Sequence, residues 1–371
     1  MGNFKQLGVN KNLVQALSEI NIKEPSAIQE ASIPVLLGGP TDFVGLAPTG
    51  TGKTAAYGIP LLQQIDPHTQ QIQAVILSPT RELVLQIKKQ LFKFTKYAEP
   101  KIFVEAVYGG EKIEIQIKNL SRPTHIVVAT PGRLVDLIKR KKIALKNVNL
   151  LVLDEADEML SLGFKDELDF VLKTTQNQGQ KWLFSATMPG AIQQIVKQYL
   201  NPKAPQISTI KKSVVNENIT HQYVPVTREN KNDVLIQLLD YKKDKKGIVF
   251  TRTKKQAQQI NELLQNEGFS IAALEGNMQQ KEREKVMRAF KNDSLQFLIS
   301  TDVAARGIDV KDLDFVLHYQ LPDQVVYYTH RSGRTARAGK TGFSIALILP
   351  HEMPEMKEIS QKLNFSFKKL K

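Results

Sequence analysis

The hydrophobic positions of the chain follow two alternating patterns. Short runs rich in β-branched residues, such as AVILSP (74–79) and HIVVATPG (125–132), have the nearly continuous apolar character of buried strands. Between such runs lie longer stretches such as RELVLQIKKQLFKF (81–94), in which apolar residues recur at helical spacing. Strands that are apolar on both faces and are separated by helices predict an α/β fold with a parallel sheet covered on both sides.

This alternation occurs twice along the chain. It is interrupted at NPKAPQISTIKKSVVNENIT (201–220), where Pro, Ser, Asn and Lys replace the apolar pattern, and it is re-established at KKGIVFTRT (245–253). At 371 residues the chain also exceeds the usual size of one domain. We therefore predict two α/β domains in tandem, with a first domain over 1–205, a linker over 206–219 and a second domain over 220–371.

Composition narrows the class of protein. With 42% hydrophobic and 24% charged residues, the chain is typical of soluble globular proteins. No apolar run approaches the roughly 20 residues that a membrane span needs, and the start MGNFKQLG lacks the pattern of a signal peptide. Because the chain has no cysteine, disulfides, thiolate metal sites and a cysteine nucleophile are excluded. These features predict a cytoplasmic protein that does not act at a membrane.

The charge of the chain predicts a polyanionic partner. The formal net charge is +14, and the sequence pI is about 9.6. Lys and Arg outnumber Asp and Glu by 24 to 18 in residues 1–209 and by 27 to 19 in residues 210–371, so the excess is spread over both halves. Such a basic surface suits nucleic acid, although charge alone leaves the partner open.

The segment APTGTGKT (47–54) predicts a phosphate-binding loop. The P-loop pattern has Gly, four residues, and then Gly-Lys-Ser/Thr; here Ala47 replaces the first glycine and the rest of the pattern fits. Backbone N–H groups of such a loop bind phosphate oxygens, its Lys reaches the β- and γ-phosphates, and its Thr hydroxyl binds Mg²⁺. The residues predicted to bind ATP here are Ala47, Pro48, Thr49, Gly50, Thr51, Gly52, Lys53 and Thr54.

The segment LVLDEAD (151–157) predicts the catalytic acids. A buried strand that ends in carboxylates needs a cation, and in P-loop enzymes an acid in this place holds Mg²⁺. Asp154 is therefore predicted to bind the metal together with Thr54. Glu155 is predicted to orient and deprotonate the attacking water, and Lys53 to act on the phosphates. The predicted cofactors are ATP and Mg²⁺.

Asp-Glu-Ala-Asp after a P-loop of this form resembles the DEAD-box RNA helicases of helicase superfamily two. The resemblance covers nearly the whole chain in the order of the family's motifs, and it implies two tandem RecA-like domains. NIKEPSAIQ (21–29) resembles the Q motif of the family, although Asn21 and Ile22 stand where Gly and Phe are usual. By this resemblance Gln29 reads the edge of adenine and Phe4 stacks near it.

Other segments of the first half resemble the family's RNA-contacting and coupling motifs. PTREL (79–83), Gly109-Gly110 and TPGR (130–133) all follow predicted strands, so we expect them together at the carboxyl edge of the sheet. SAT (185–187) resembles the motif that links the nucleotide state to strand separation. The residues implied for RNA binding are Pro79, Thr80, Arg81, Gly109, Gly110, Thr130, Pro131 and Arg133, and those implied for coupling are Asp157, Ser185, Thr187 and His330.

The second half resembles the family's later motifs in IVFTRT (248–253), GNMQQKERE (276–284), STDVAARGID (300–309) and HRSGRTAR (330–337). Glu275 and Asn277 stand where His and Asp are common, and Ala336 replaces a frequent glycine, an exchange expected to matter little because no charge is lost. The residues implied for RNA binding here are Thr251, Arg252, Gly276 and Thr301, with Gln280 and Arg283 as further motif positions and Asp309 toward the ribose of ATP.

Arg334 and Arg337 are three residues apart and would share one side of a helix. The resemblance places both on the γ-phosphate, where such arginines raise the rate roughly 10³–10⁵-fold. It therefore implies that ATP and RNA close the two domains together, that a few base pairs are lost, and that hydrolysis reopens them.

We expect a monomer that binds single-stranded RNA or short duplexes by the backbone, independently of sequence, with ribonucleoprotein or RNA-decay assemblies as candidate partners. Three alternatives stay open at this point: an ATP-gated RNA clamp with little unwinding, a DNA translocase, and a P-loop phosphotransferase. The phosphotransferase would not explain a second α/β domain that ends in HRSGRTAR.

Overall fold

The computed structural model describes residues 3–175, 179–210, 217–275, 278, 280–305, 313–336 and 340–370. Its internal contacts divide the chain into two units, Met1–Ile210 and Lys211–Lys371. This division falls inside the expected linker.

A parallel sheet forms the centre of the first unit. Its strands are β1 (Phe43–Leu46), β2 (Ala74–Leu77), β3 (Val104–Val107), β4 (Ile126–Ala129), β5 (Leu150–Asp154), β6 (Gln180–Ser185) and β7 (Gln206–Ser208). The order across the sheet is β3-β4-β2-β5-β6-β1-β7, and every pairing among these strands is parallel. The first residues of the expected linker, 206–208, thus pair with β1 as the edge strand β7.

Helices cover both faces of this sheet. They are α1 (Lys11–Glu19), α2 (Ala27–Leu37), α3 (Lys53–Gln64), α4 (Arg81–Phe94), α5 (Ile113–Leu120), α6 (Pro131–Lys139), α7 (Ala156–Ser161), α8 (Lys165–Thr174) and α9 (Gly190–Tyr199), with a 3₁₀ turn at Thr95–Tyr97. Successive side chains of a strand point to opposite faces. In β5, Leu150 and Val152 therefore join one apolar cluster, and Leu151 and Leu153 join another on the opposite face. This is the two-sided burial that the continuous apolar runs predict.

The second unit repeats this architecture. Its strands are β8 (Ile219–Pro225), β9 (Gly247–Thr251), β10 (Ile271–Leu274), β11 (Phe297–Thr301), β12 (Phe315–His318), β13 (Gly342–Ile348) and β14 (Lys368–Lys369). Its helices are α10 (Lys231–Tyr241), α11 (Lys254–Asn266), α12 (Gln280–Lys291), α13 (Asp302–Ala305), α14 (Val325–Ser332) and α15 (Met353–Leu363), with a 3₁₀ turn at Pro350–Glu352. The order across this sheet is β10-β11-β9-β12-β13-β8-β14, again with parallel pairing among the described strands.

The two sheets have the same topology. When strands are numbered from the first strand of each unit, both orders read 3-4-2-5-6-1-7. The prediction of an α/β fold with two tandem parallel sheets, each flanked by helices, is confirmed. None of the helices formed by the described residues is long and apolar enough to cross a membrane.

Candidate functional site

The predicted site loops of the first unit lie at one edge of its sheet. Each of them follows a strand, and carboxyl ends of parallel strands share an edge. In the observed order, the loops predicted to bind RNA follow three adjoining strands, β3, β4 and β2. The loops predicted to bind or sense the nucleotide follow the next three, β5, β6 and β1. The site residues are thus sorted into two adjoining halves of one edge.

The loop after β1 has the backbone of a phosphate-binding turn. Gly50 and Gly52 have φ of 80° and 90°, in the left-handed region that favours glycine. A Cβ at Gly52 would lie 2.2 Å from Nε2 of Gln29, so any larger residue here would displace the Gln29 amide. Lys53 is 5% exposed, and its ammonium donates to the Ala47 carbonyl at 3.0 Å. The Thr51 hydroxyl donates to Pro48 O at 2.8 Å, so the loop is closed upon itself just before α3 begins.

Gln29 connects the Q-motif helix α2 to this loop. Its Nε2 donates to Gly52 O at 3.0 Å, and its Oε1 accepts from the Ser26 N–H at 3.0 Å. A primary amide offers two donors and two acceptor positions, so within the described part of the chain each polar atom of Gln29 keeps one position for a further partner. Phe4 is 2% exposed and packs in the apolar cluster of the first unit, so its stacking near adenine stays a prediction.

Asp154 ends β5 with one carboxylate oxygen satisfied and one not. Its Oδ2 accepts from the Tyr57 hydroxyl at 2.9 Å, while the buried Oδ1 has no hydrogen-bond partner among the described residues. Burial raises the pKa of Asp154, and the charge of Lys53 and the Tyr57 hydrogen bond oppose that rise. A buried acceptor left without a partner is costly, and a cation beside it would favour the charged form.

These donors fit Mg²⁺ that arrives with a nucleotide. Mg²⁺ usually takes one or two carboxylates together with water and substrate phosphates, and it is not usually held in a cage of protein ligands. Asp154 Oδ1 would supply the carboxylate oxygen, and Thr54, the second residue of α3, would supply a hydroxyl. The described residues contain no cluster of three His, Cys, Asp or Glu that would hold a metal by itself.

Glu155 occupies an unusual backbone conformation. Its φ of 51° and ψ of 52° place a non-glycine residue in the left-handed region, directly after Asp154 and at the start of α7. Its carbonyl oxygen accepts from the N–H groups of Glu158 and Met159, each at 3.0 Å, which begins that helix. Strained residues of this kind cluster at functional sites.

Asp157 joins the loops after β5 and β6. Its Oδ2 accepts from both the N–H and the hydroxyl of Thr187, at 2.9 and 2.6 Å, and its own N–H donates to the Ser185 hydroxyl at 3.3 Å. Asp157 is 8% exposed, so these bonds lie largely out of water. The structure thus brings together the three residues of the first unit that were predicted to couple.

Gln116, a residue that the sequence reasoning missed, links two of the three loops predicted to bind RNA, which follow β3, β4 and β2 and are called the RNA half of the edge. It is 1% exposed, and its Nε2 donates to Tyr108 O at 2.9 Å, just before Gly109-Gly110. Its Oε1 accepts from the Tyr108 N–H at 3.3 Å and from Arg133 at 2.8 Å. Arg133 also donates to Glu111 O at 3.0 Å, so this predicted RNA ligand links the loops after β3 and β4.

The remaining RNA-half residues also stabilise loop ends. Arg81 donates to Gly110 O at 3.3 Å, and its guanidinium lies 4.5 Å from the centre of the Tyr108 ring. Thr80, preceded by the buried Pro79, caps α4 by accepting from the Leu83 N–H at 3.3 Å. Thr130 directly precedes α6, and Pro131 is the first residue of that helix, a position where proline is common.

In the second unit, two predicted RNA ligands make contacts inside the unit. Thr251 is fully buried and donates to Thr253 O at 3.2 Å. Arg252 donates to Leu321 O at 2.6 Å and pairs with Glu355 at 2.7 Å, and a further carboxylate, Asp323, lies 3.0 Å away. These contacts give both residues a structural role, and their contact with RNA stays a prediction.

A buried ion pair joins the segments STDVAARGID (300–309) and HRSGRTAR (330–337). Arg331 is 1% exposed and binds both carboxylate oxygens of Asp302, at 2.6 and 2.7 Å. Thr301 accepts from the Ala304 N–H at 3.4 Å, and Arg283 donates to Ala304 O at 2.5 Å. The α12 helix begins at Gln280, and Arg283 lies in its first turn. The predicted residues Gly276, Asp309 and Arg337 lie outside the described residues.

Two details of the last motif correct the sequence analysis. His330 lies in α14, but that helix ends at Ser332, so Arg334 lies beyond it and is not part of the helix that the spacing predicts. Gly333 ends the helix at this point. Ala336 has a φ of 57°, so the glycine that it replaces matters for the backbone, which the comparison of charges could not reveal.

Comparisons with known proteins agree with these observations. Residues 26–195 match the DEAD/DEAH box helicase family, and residues 230–339 match the helicase conserved C-terminal domain. The chain is 40% identical over 362 residues to the DEAD-box ATP-dependent RNA helicase CshA of Bacillus cereus, covering 97% of this chain and 68% of that protein. The CshA of Bacillus anthracis matches with the same identity and coverage.

Solved structures with the same fold include other members of the family. Dbp5 of S. cerevisiae, bound to RNA and ADP BeF₃, is 30% identical with a TM-score of 0.91, over 100% of this chain and 96% of that one. A DEAD box protein from Methanococcus jannaschii is 38% identical with a TM-score of 0.57, over 100% and 99% of the two chains. The chain therefore belongs to the DEAD-box ATP-dependent RNA helicases, which hydrolyse ATP and act on RNA.

Proposed function

We propose that this helicase uses ATP hydrolysis in its first unit to remodel short RNA duplexes locally, and that it holds RNA by the backbone. The observation that carries this proposal is the division of one sheet edge into two adjoining halves. Nucleotide loops follow β5, β6 and β1, and RNA loops follow β3, β4 and β2. Since β5 and β2 are neighbours, a change at the nucleotide has a short path to the RNA loops.

On the nucleotide side, each residue has a role that suits its surroundings. Gln29 reads adenine with its two remaining amide positions, and Lys53 exchanges its bond to Ala47 O for the β- and γ-phosphates. Thr54 and Asp154 would hold Mg²⁺, which supplies charge neutralisation at the phosphates when bound. Glu155 orients the attacking water and accepts its proton.

Coupling runs through Asp157 and Thr187. Their two hydrogen bonds connect the loop of the catalytic acids to the loop after β6. Hydrolysis also needs residues of the second unit: by family resemblance, Arg334 and Arg337 stabilise the charge on the transferred phosphate, Asp309 binds the ribose, and His330 assists coupling. RNA and ATP would then favour the same closed state, which is a population shift driven by two ligands.

On the RNA side, the available groups suit phosphates and sugars. Hydroxyls of Thr80 and Thr130, the backbone of Gly109-Gly110, and the guanidinium groups of Arg81 and Arg133 are donors that phosphate oxygens accept from. No pair of side chains in these loops resembles a reader of base edges, so binding is proposed to be independent of sequence. The RNA-bound structure of the relative Dbp5 supports RNA as the ligand.

The proposal is tested by two measurements on the full chain. The first is ATPase activity with RNA and DNA oligomers of the same sequence: RNA should stimulate strongly and DNA weakly, whereas equal stimulation would favour a DNA translocase. The second is strand displacement from a short RNA duplex with a single-stranded flank. ATP-dependent retention on RNA without displacement would favour the clamp. The cytoplasmic location stays a prediction, which cell fractionation can check.

A further inference from the structure

Tyr57 places a hydroxyl group against Asp154, one of the two residues proposed to hold the metal. It lies on α3 one turn after Thr54, is fully buried, and packs against Phe184 with ring centres 5.3 Å apart. Its hydroxyl donates to Asp154 Oδ2 at 2.9 Å. None of the recognised motifs includes this residue.

This hydrogen bond decides which carboxylate oxygen is open. A tyrosine hydroxyl keeps its proton at neutral pH and has one hydrogen to donate, which Asp154 Oδ2 receives. The other oxygen, Oδ1, is buried and has no partner among the described residues. The carboxylate is therefore fixed in orientation, with one oxygen occupied by protein and one available.

We propose that Tyr57 is a positioning residue of the magnesium–nucleotide site, which holds Asp154 by Oδ2 so that Oδ1 alone is presented to Mg²⁺ or to its bound water. The inference rests on the proposed role of Asp154. Partners that orient a metal-binding carboxylate typically contribute 10- to 100-fold to metal affinity or activity. A carboxylate freed from Tyr57 could rotate, and it would then present either oxygen or both.

The rival explanation is that the bond only satisfies a buried tyrosine. The chain offers a matched control for that explanation: Tyr199 is 5% exposed in the same unit, and its hydroxyl donates to Asp169 Oδ1 at 3.0 Å. Tyr199 and Asp169 take no part in any site loop. Tyr57→Phe and Tyr199→Phe remove the same atom from similar hydrogen bonds, so a purely structural effect would be shared by both.

The experiment measures the binding of a fluorescent, non-hydrolysable ATP analogue to the full chain, with Mg²⁺ and with EDTA. The Kd in EDTA divided by the Kd in Mg²⁺ reports how much Mg²⁺ contributes to binding. We expect Tyr57→Phe to lower this ratio by about tenfold, with the Kd in EDTA unchanged, and Tyr199→Phe to leave the ratio as in the wild type. A wild-type ratio in Tyr57→Phe would overturn the proposal.

Asp154→Asn separates this inference from the function on which it rests. The substitution should lower the ratio by itself, and adding Tyr57→Phe to it should lower the ratio no further, because Tyr57 acts through that carboxylate. A further fall in the double variant would overturn the inference while leaving Asp154 at the metal. An unchanged ratio in Asp154→Asn would overturn both. The double variant has no unpaired carboxylate oxygen, so it keeps the test decisive if Tyr57→Phe alone does not fold.

Discussion

Asp157 Oδ2 accepts two hydrogen bonds from one residue, Thr187, whose N–H and hydroxyl lie 2.9 and 2.6 Å away. The pair joins the segment that follows Asp154 and Glu155 to the neighbouring loop of the same edge. A hydrogen bond to a charged group contributes about 1.5–3 kcal/mol, which is enough to hold the two loops in a single arrangement.

Removing the hydroxyl of Thr187 should separate hydrolysis from unwinding. In Thr187→Val the shape of the side chain and the backbone bond persist, while the shorter bond to Asp157 is lost. We expect strand displacement to fall by about tenfold, the equivalent of about 1.4 kcal/mol, with a much smaller change in RNA-stimulated ATPase. Parallel assays of both activities decide this, and an equal loss in both would argue against a coupling role.

Glu155→Gln should stop turnover without preventing binding. The amide can still hydrogen-bond the attacking water, but it cannot accept its proton, and a general base commonly contributes 10²–10⁴-fold. We therefore expect kcat to fall by about that factor while ATP and RNA affinities stay close to wild type, which single-turnover hydrolysis and binding measurements can show. Glu167→Gln, at the first turn of α8, is the control. Near-normal turnover would remove Glu155 from the base role.

Gln116→Met should weaken RNA binding selectively. The substitution removes every hydrogen bond that this buried side chain makes to the Tyr108 backbone and to Arg133, at a cost of about 1–3 kcal/mol per group left unsatisfied. Because these contacts shape the RNA half of the edge, the KM for RNA should rise by about tenfold and the KM for ATP should hardly change. Gln193→Met, on the exposed side of α9, serves as control. Equal effects on both KM values would indicate general loosening of the unit.

The second unit should lose stability in mild acid. Burial lowers the pKa of His221 to about 4 and the pKa of His318 well below its usual value, with the charge of Arg331 also disfavouring protonation of His318. Both are therefore neutral when folded, whereas they bind protons near pH 6.5 when unfolded. The stability that these two neutral histidines contribute is fully present above about pH 6.5. As the pH falls below that value, the free energy of unfolding decreases by about 1.4 kcal/mol per pH unit for each histidine.

Acid unfolding followed by two probes can test whether the second unit loses stability as the pH falls. Trp182 is the single tryptophan of the chain and lies in the first unit, so its fluorescence follows that unit, while hydrogen exchange in β8 and β12 follows the second. Burial also lowers the pKa of His125 in the first unit, so some acid sensitivity is expected there. The second unit should be the more sensitive. Equal acid sensitivity of the two units, or a gain in stability in β8 and β12 at pH 5.5, would contradict the burial argument.

Ala336→Gly should stabilise the second unit. An L-residue in the left-handed region costs about 1–2 kcal/mol, which glycine would avoid. Part of this gain in stability is offset by the greater freedom of glycine in the unfolded chain. We expect the free energy of unfolding to rise by about 0.5–1 kcal/mol, measured by chemical denaturation. The control is Ala289→Gly, in the helix α12, which should instead lower it by about 1 kcal/mol. A loss of stability in Ala336→Gly would show that the local backbone is not strained.

The sequence predicts those parts of the structure that depend on local pattern. Continuous apolar runs such as the one before Asp154 identify buried parallel strands, and a motif that follows a strand must lie at the carboxyl edge. The relations that the sequence does not reveal join residues far apart in the chain. Tyr57 and Asp154 are 97 positions apart, and nothing in either segment indicates their bond. Likewise, the carboxylates that pair with Arg252 lie about 70 and 100 positions away.

Two of the missed residues nevertheless leave a signal in the sequence. Gln116 interrupts the apolar face that Ile113, Ile117 and Leu120 give to α5, and Tyr57 carries a polar group within the otherwise apolar stretch AAYGIPLL. A polar group in such a place needs a partner, since burying it unpaired is costly. Backbone conformation is harder to infer from the residues: Gly333 marks the end of α14, but the left-handed φ of Ala336 depends on the path of the chain around it.

The shared strand order 3-4-2-5-6-1-7 has a consequence for stoichiometry. An internal duplication of one scaffold would be expected to supply two equivalent nucleotide sites, one after the first strand of each copy. After β1 the chain builds the glycine-rich turn that ends in Lys53, but after β8 it goes through VTREN (226–230) directly into α10, without a glycine or a Lys-Thr pair. Two copies of the scaffold thus provide a single P-loop, and one chain should bind and hydrolyse one ATP per cycle.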